Sequence, residues 1–330
     1  MIGFGGIGAV HKAAYDALLK EGVPIRLVAV CDKNTESIKQ VSSTNLGTVD
    51  VGSFEGVSFY SDCDELIEKE VFDVADICLP TFLHKDYTLK LLRAGKHVLC
   101  EKPMALSYGD CREMADFADK VGRELAVGQC LRFDPAYLYL NELVETGKLG
   151  ELRRITMGRL SFLPRWGGWF TDTKKSGGCI FDFHIHDVDM LRFLLGEPQA
   201  VSSLSYLGDN APQYVNTRFF YDGIIAEAEA SFDESPTAPF DMWYRARFEK
   251  GSVVFAGGAV TVYPDDGKPY TAEIGNRDRI AAEISHFADV ILRGVKNTVN
   301  SARIAAESIR LCELVSKSAE LRGEAVGWEK

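Results

Sequence analysis

Three groups of residues in this chain have types and spacings that could do chemistry. Near residue 100, Glu101, Lys102 and Pro103 end the apolar run "HVLC". An ammonium at such a strand end can bind and orient a hydroxyl and share in moving its proton. Near residue 180, "DFHIHDVD" sets Asp182 and His186 four apart, with Asp189 close behind. On a helix that spacing puts a carboxylate and an imidazole on one face, a pair suited to proton abstraction. The apolar Ile180, Phe183, Val188, Leu191, Leu194 and Leu195 fall on another face, which predicts the helix itself. At the start, "GFGGIG" spaces Gly3, Gly5 and Gly8 as G-x-G-x-x-G, with Phe4, Gly6 and Ile7 between them. Glycines so placed let backbone N–H groups at a helix N-terminus approach a pyrophosphate.

Those groups need a scaffold that brings strand ends to one edge. The first 128 residues alternate apolar strands with helical patterns: "IGAVHKAAYDALLK" (helix), "IRLVAVCD" (strand), "DELIEKEVF" (helix), "DVADICLP" (strand), "HKDYTLKLLRAGK" (helix), "HVLCEKP" (strand), "SYGDCREMADFADKVG" (helix) and "ELAVGQ" (strand). Residues 43–56 read as a loop. Repeated β-α units predict a doubly wound parallel sheet, with ligands at the carboxyl ends of its strands. Asp32 ends the second expected strand, at the distance from the glycines where a carboxylate accepts from an adenosine ribose diol. It would repel a 2′-phosphate, which favours NAD, while the neighbouring Lys33 keeps NADP possible; the alternative is that Asp32 caps the helix after it. Only Met1 and Ile2 precede the first glycine. A buried central strand contributes much to a domain, so further apolar residues are expected upstream of Met1 in the natural chain.

Residues 129–330 read differently. Alternating or β-rich runs such as "QAVSSLSYLG", "QYVNTRFFYDG", "IIAEAEASF", "FDMWYRARFEK" and "AVTVYPDD" are separated by turn signals, with one long helix near the start and two near the end. This predicts an α+β domain with an antiparallel sheet. Its Phe219, Tyr221, Trp243 and Tyr244 are candidates for an exposed contact face or for the core. The loop "LPRWGGWFTDTKKSGG" places Trp166 and Trp169 before the helix carrying Asp182, where they could stack on a substrate or close against solvent.

Composition excludes several classes. The formal net charge of −11 gives no basic stripe for nucleic acid. No apolar run reaches membrane-span length, and no charged-then-apolar leader opens the chain, so a soluble, cytoplasmic protein is expected. Eight cysteines, among them Cys31, Cys78 and Cys100 in strand-like runs, include no C-x-x-C pair and read as reduced and buried. His184, His186 and Asp187 would suit a metal only on a strand, and the helical period argues against one; no metal is expected.

The stretch "LPTFLHKDYTLKLLRAGKHVLCEKPMALSYGD" closely resembles the glucose–fructose oxidoreductase/inositol dehydrogenase (Gfo/Idh/MocA) family, most specifically in "AGKHVLCEKP". "VGQCLRFDP" and "SGGCIFDFHIHDVDMLRFLLG" carry the likeness further, and beyond about residue 200 it is architectural. The resemblance implies a Rossmann dinucleotide-binding domain (1–128) and a C-terminal domain (129–330) with a large open sheet, one face of which often makes homodimer or homotetramer contacts. It implies Lys102, Asp182 and His186 as the catalytic set, and Pro80, Thr81, His84 and Glu101 beside the cofactor. Arg132 matches an arginine near the substrate, the alternative being an ion pair between domains. Trp169 is a substrate-side residue, though Phe170 stands where relatives often have arginine. The implied activity is NAD(P)-dependent hydride transfer to or from a sugar, polyol or related hydroxy compound. The alternatives are a redox-neutral NAD-dependent glycosidase and a non-catalytic dinucleotide sensor.

Overall fold

A computed structural model of the chain describes residues 1–39, 42–44, 47–164, 168–207 and 212–328. The chain divides into two compact units, Met1–Cys130 with Arg277–Glu307, and Leu131–Asn276 with Ser308–Lys330.

Unit 1 runs α1 (Gly6–Lys20), β1 (Ala29–Cys31), β2 (Ser42–Thr44), β3 (Gly47–Val49), β4 (Ser58–Tyr60), α2 (Cys63–Lys69), β5 (Val74–Ile77), α3 (His84–Arg93), β6 (His97–Glu101), α4 (Tyr108–Val121) and β7 (Leu125–Gly128). Strands β5, β6 and β7 pair in parallel, and so do β1 and β4. Ile2 joins the two sets through parallel bridges to Cys31 and Ile77. Its N–H donates to the Asp76 carbonyl at 2.7 Å, and its own carbonyl accepts from the Cys78 N–H at 2.8 Å. The resulting order, β4-β1-Ile2-β5-β6-β7, is that of a doubly wound dinucleotide fold. The place expected for a first strand is thus filled at bridge length by Met1–Gly3. Residues 43–56, expected as loop, contain most of the β2–β3 hairpin.

The helix Arg279–Arg293, counted with the second domain from its position in the sequence, packs in unit 1. Its Ile280, Ile284, Phe287 and Val290 form one apolar stripe at helical spacing, buried with Ala14 and Leu18 of α1 and with Leu99 and Ala126 of the sheet. The sequence predicts a helix there, but not which surface its stripe would cover.

Unit 2 runs α5 (Pro135–Thr146), β8 (Leu152–Leu160), α6 (Thr173–Ser176), a π-helical turn (Ile180–His184), α7 (Ile185–Leu195), β9 (Ala200–Leu207), β10 (Pro212–Phe220), β11 (Ile225–Ser231), β12 (Asp241–Phe248), β13 (Gly251–Ala256), β14 (Ala259–Pro264), β15 (Tyr270–Thr271) and, after the helix Ala302–Glu320, which belongs to unit 2 only from Ser308, β16 (Val326–Gly327). The nine strands form one open sheet in the order β15-β14-β13-β12-β8-β11-β10-β9-β16, antiparallel except for β8 against β11. Phe219 and Tyr244 belong to the core, being 1% and 0% exposed, and the Tyr244 hydroxyl donates to the Ala136 carbonyl at 2.8 Å. The alternation on these strands was legible, but not which face would be covered. Among the described residues, the exposed large apolar side chains of the sheet are instead Leu204, Tyr206, Phe220, Ile225, Tyr263 and Tyr270. Among the described residues, no helix is long and apolar enough to cross a membrane. All eight cysteines are free and buried.

Gly158 on central strand β8 pairs with Trp243 on β12, and a Cβ at Gly158 would lie 2.5 Å from the indole Cζ2 and Nε1. Since the ring must shift to admit a methyl, Gly158→Ala is expected to destabilise unit 2 by about 1–3 kcal/mol. Denaturant unfolding followed by tryptophan fluorescence checks it; an unchanged midpoint would mean the indole is free to move.

Candidate functional site

The glycine turn of unit 1 has the local geometry for an anion. Gly3 has φ of +88°, and a Cβ there would sit 2.7 Å from the Cys78 carbonyl oxygen, so only glycine fits between the neighbouring strand ends. A Cβ on Gly8 would meet the Gly3 carbonyl at 2.9 Å, so this glycine lets α1 close on the turn. At Gly5 the same position is open, with nothing within 4 Å. Gly5 is also the N-cap of α1; no side chain caps it, and the first turn carries no acidic residue. The N–H groups and positive dipole end of a 15-residue helix therefore meet an open cradle, which fits a pyrophosphate.

Asp32, just past β1, accepts from the Phe4 N–H at 2.7 Å through Oδ2 and from the Asn34 N–H at 2.8 Å through Oδ1. The carboxylate thus ties the glycine turn to the β1 end and orders the segment before the short helix Thr35–Lys39. Pro80 and Thr81 follow β5 and open the 3-10 turn Thr81–Leu83, with Thr81 buried. Asp32, Pro80 and Glu101 thus lie at or shortly past the carboxyl ends of β1, β5 and β6, whereas Gly6, Ile7 and Gly8 open α1 and His84 opens α3.

Beneath that edge lies a cluster that the sequence motifs do not single out. His11 of α1 is 0% exposed. Its Nδ1 is 2.9 Å from Asp76 Oδ2 on β5, and its Nε2 is 2.9 Å from Glu101 Oε1 on β6. Burial is the largest single influence on His11 and acts to lower its pKa, but the Asp76 carboxylate and the other groups around the ring together hold the imidazole well above its ordinary 6.5. Burial is likewise the largest influence on Asp76 and acts to raise it, and His11 with the other groups around the carboxyl together leave it below its ordinary range. The Tyr15 hydroxyl also donates to Asp76 Oδ2, at 3.2 Å. The second Glu101 oxygen accepts the Lys102 N–H at 2.9 Å. The signal that could have found this cluster is Asp76 itself, a charge inside the apolar run "DVADIC", which needs a buried partner. Cys78 lies beside His11 and Asp76, and burial pushes its thiol up to about 12.

His84, expected beside the cofactor, is 1% exposed and engaged with backbone. Its Nδ1 is 2.8 Å from the Pro103 carbonyl oxygen and its Nε2 is 2.7 Å from that of Leu79. Burial pulls its pKa below the ordinary value, although both carbonyls favour the protonated ring. Lys102 is half-buried, and its peptide bond to Pro103 is cis.

In unit 2, Asp182 is buried within the π-helical turn and His186 is half-buried in the first turn of α7. The expected continuous α-helix is thus a π turn followed by an α-helix. The wheel that put Asp182 and His186 on one face changes there, because a π turn takes an extra residue. His184 packs inside, its Nε2 3.0 Å from Thr217 Oγ1, and burial pulls it down to about 3. Asp187 is wholly buried opposite Arg159, whose Nε lies 3.3 Å from its Oδ2.

Arg132 forms a two-pronged buried ion pair with Asp189, Nε to Oδ2 at 2.8 Å and Nη2 to Oδ1 at 2.9 Å. Its guanidinium lies 4.8 Å from the Phe193 ring centroid. Both partners belong to unit 2, so this pair is internal to one unit rather than between two. The Ser308 hydroxyl donates to Asp189 Oδ1 at 2.6 Å, and Arg192 Nη1 donates to that hydroxyl at 2.7 Å. Trp169 stacks on Phe170 with centroids 4.0 Å apart, so one indole face is already covered by the residue that replaces the expected arginine. Trp166 lies outside the described residues. A recess in the same unit is lined by Phe162, Leu163, Phe170, Phe232, Asp233 and Glu234.

Residues 1–129 match the family described as "Oxidoreductase family, NAD-binding Rossmann fold", and residues 137–254 match the "GFO/IDH/MocA C-terminal domain". The chain is 31% identical over 207 residues to D-glucoside 3-dehydrogenase of Escherichia coli, covering 62% of this chain and 55% of that protein. It is 31% identical over 198 residues to inositol 2-dehydrogenase of Rhizobium meliloti, covering 60% and 54%. The chain spans about half the length of the curated relatives it matches. Among solved structures, levoglucosan dehydrogenase in complex with NADH superposes with a TM-score of 0.84 at 20% identity, covering 100% of this chain and 98% of that one. Aldose-aldose oxidoreductase from Caulobacter crescentus complexed with glycerol gives 0.79 at 24% identity, covering 92% of each. Unit 1 is accordingly an NAD-binding Rossmann domain, and unit 2 a C-terminal domain built on a mixed, mostly antiparallel open sheet.

A charged His11 has a definite pH signature. Its folded pKa is raised above 6.5, so its stabilisation is complete below that pH and is lost as pH climbs through the folded value. Asp76, lowered from 3.8, stabilises above that pH and loses its contribution in acid. His11→Gln leaves two buried carboxylates unpaired, a cost of about 3–5 kcal/mol. The gap in stability between wild type and His11→Gln should be widest between those two pH values and narrow above 6.5 by up to about 1.4 kcal/mol per pH unit. Unfolding midpoints across pH test this; a gap that widens above 6.5 would make the ring neutral.

Proposed function

Because the chain belongs to the Gfo/Idh/MocA oxidoreductase family, we propose that it transfers a hydride between NAD and a hydroxyl-bearing carbon of a sugar or polyol. The observation that carries the reading is the grouping, along one sheet edge of an NAD-binding Rossmann unit, of the side-chain-free N-terminus of α1, the Asp32 carboxylate and Lys102. Bound NAD would supply a two-electron acceptor for the substrate carbon.

The chain's own residues would do the rest. Gly5, Gly6 and the first N–H groups of α1 would hold the pyrophosphate, with Phe4 and Ile7 beside them. Asp32 would accept from the adenosine ribose diol through the lone pairs its two backbone contacts leave over. Its negative charge supports NAD over NADP. Lys102 would donate a hydrogen bond to the substrate hydroxyl and stabilise the oxygen as its proton leaves. His186 would take that proton as general base, with Asp182 binding a substrate hydroxyl or steadying the ring. Arg132 would act on the substrate side through Asp189 and the α7 surface rather than by a free guanidinium, and Trp169 would offer its uncovered face to a sugar ring. The dehydrogenase relatives are named for glucoside and inositol substrates, which supports a polyhydroxylated ligand without choosing one.

The test is reduction of NAD, read from the near-ultraviolet absorbance of the reduced cofactor, against pools of polyols, aldoses and glycosides. Wild type should reduce NAD with at least one pool, and Lys102→Ala or His186→Ala should lower that rate by roughly 10²–10⁴. A Lys102→Ala protein as active as wild type would overturn the reading. So would a wild type that reduces no cofactor with any pool while cleaving an aryl glycoside.

A further inference from the structure

The turn that carries Lys102 is held from two directions by histidines that cannot themselves reach a substrate. His11 is wholly buried and His84 is 1% exposed. From below, His11 Nε2 holds Glu101 Oε1 at 2.9 Å, and the other Glu101 oxygen accepts the Lys102 N–H at 2.9 Å. Asp76 holds the far side of the His11 ring, so the carboxylate of Glu101 is fixed through α1 and β5 as well as through its own strand. From the side, His84 at the start of α3 lies between the Pro103 and Leu79 carbonyls, 2.8 Å from one and 2.7 Å from the other, and the ring nitrogen that carries the proton donates to the carbonyl it faces. The ring thus packs between the residue after Lys102 and the segment that follows β5. Each residue of Glu101–Lys102–Pro103 thus has a polar group fixed directly or through one link by a buried histidine.

A third feature makes room for this arrangement. Gly128, at the end of β7, pairs with Glu101, and a Cβ there would lie 2.8 Å from Glu101 Oε1 and 3.2 Å from Oε2. The carboxylate therefore fills the space a side chain at residue 128 would take. Its position is set by steric room as well as by charge.

We propose that His11 and His84 are positioning residues for Lys102, with Gly128 supplying the space in which Glu101 transmits the His11 contact. The pair sets the backbone direction from which the lysine side chain leaves the sheet edge. This rests on the reading above, in which Lys102 binds the reacting hydroxyl. A misplacement of about 1 Å in such a group can cost about 100-fold in rate, so an anchor on both sides of the lysine has a purpose that a surface lysine would not need.

The experiment uses the whole chain in four variants: His84→Leu, His84→Gln, Gly128→Ala and His11→Gln. Each is treated, folded and at one fixed pH, with trace acetic anhydride, and peptide mass spectrometry gives the acetylation rate of Lys102 relative to exposed Lys33. In parallel, kcat and KM for NAD reduction are measured with whichever polyol or sugar pool wild type accepts. The expected result is a changed Lys102-to-Lys33 ratio and a kcat lowered by up to about 100-fold with the KM for NAD little altered. Gly128→Ala should share the effect although it removes no charge, and His84→Gln, whose amide still donates to a carbonyl, should recover part of what His84→Leu loses. Should His11→Gln fail to fold, the His84 and Gly128 variants decide. A wild-type acetylation ratio and kcat in folded His84→Leu and Gly128→Ala would overturn the positioning role, even if Lys102→Ala is inactive. Full activity in Lys102→Ala would instead overturn the functional reading, and a changed acetylation ratio would then still uphold the clamp.

Discussion

A buried imidazole held between two carboxylates inside the Rossmann unit is the constraint on which the rest of unit 1 depends. His11 has no exposed surface, and its two nitrogens face carboxylates on two different strands. Burying three ionisable groups together is costly, and such clusters are retained only where geometry satisfies every member. Here the cluster binds α1 to β5 and β6 at one level of the sheet. Apolar packing of α1 on Leu99 and Ala126 holds the helix against the sheet but is tolerant of sliding. The two carboxylates are not tolerant, because a one-residue slip would strand them unpaired. The register of α1 along the sheet, and with it the height of its open N-terminus, follows from His11.

Unit 2 solves a related problem with arginine. Its helix α7 carries Asp187 and Asp189 on buried surface, and each meets a guanidinium, Arg159 on β8 and Arg132 before α5. Arginine suits this task because it is always charged and meets a carboxylate with two parallel donors, as Arg132 does at 2.8 and 2.9 Å. Burial pushes Asp187 upward and Arg159 partly offsets the effect, across contacts of 3.3 and 3.4 Å that are longer than those of the Arg132 pair. The helix is thereby fixed in rotation from both sides, and the preceding π turn offsets Asp182 from the regular wheel. The two units thus use different cations, a titrating one beneath the edge that carries the proposed lysine, and a permanent one where the helix carrying the proposed base has to be held in rotation.

What was legible in the sequence follows the range of the forces involved. Local signals were read well: the glycine turn, the parallel strands at "DVADICLP" and "HVLCEKP", and the helices at residues 84–93 and 108–121 depend on neighbours a few positions away. Non-local choices were not. The stripe of Arg279–Arg293 is visible, yet nothing local to it tells that α1 is its partner. Phe219 and Tyr244 alternate correctly, yet the buried side of a sheet is decided by helices far away in the chain. In the candidate site the chemistry-bearing Lys102, Asp182 and His186 stood out by type and motif. The histidines under Lys102 did not, since a buried His beside an apolar pattern looks like packing until its carboxylates are known. Even the π turn hides in a sequence whose apolar spacing suits an α-helix on either side of it.

Asp32 shows why setting a structural role against a functional one can mislead. From the sequence, capping the next turn and receiving a ribose are rival explanations of one carboxylate. In the fold Asp32 binds the Asn34 N–H through one oxygen and the Phe4 N–H through the other. Each carboxylate oxygen has two acceptor directions, so the two backbone contacts leave capacity for a diol while removing the side chain's freedom to turn away. The contact with Phe4 reaches into the glycine turn itself, so the acid that would read the ribose also orders the loop that would hold the pyrophosphate. A residue occupied in this way is better prepared for a ligand than a free one, because the entropy of fixing it is spent on folding rather than on binding. The same logic runs through the edge as a whole: Glu101 is occupied by His11 and the Lys102 N–H, and His84 lies between two carbonyls, so the turn that carries the half-buried lysine is ordered before any ligand arrives.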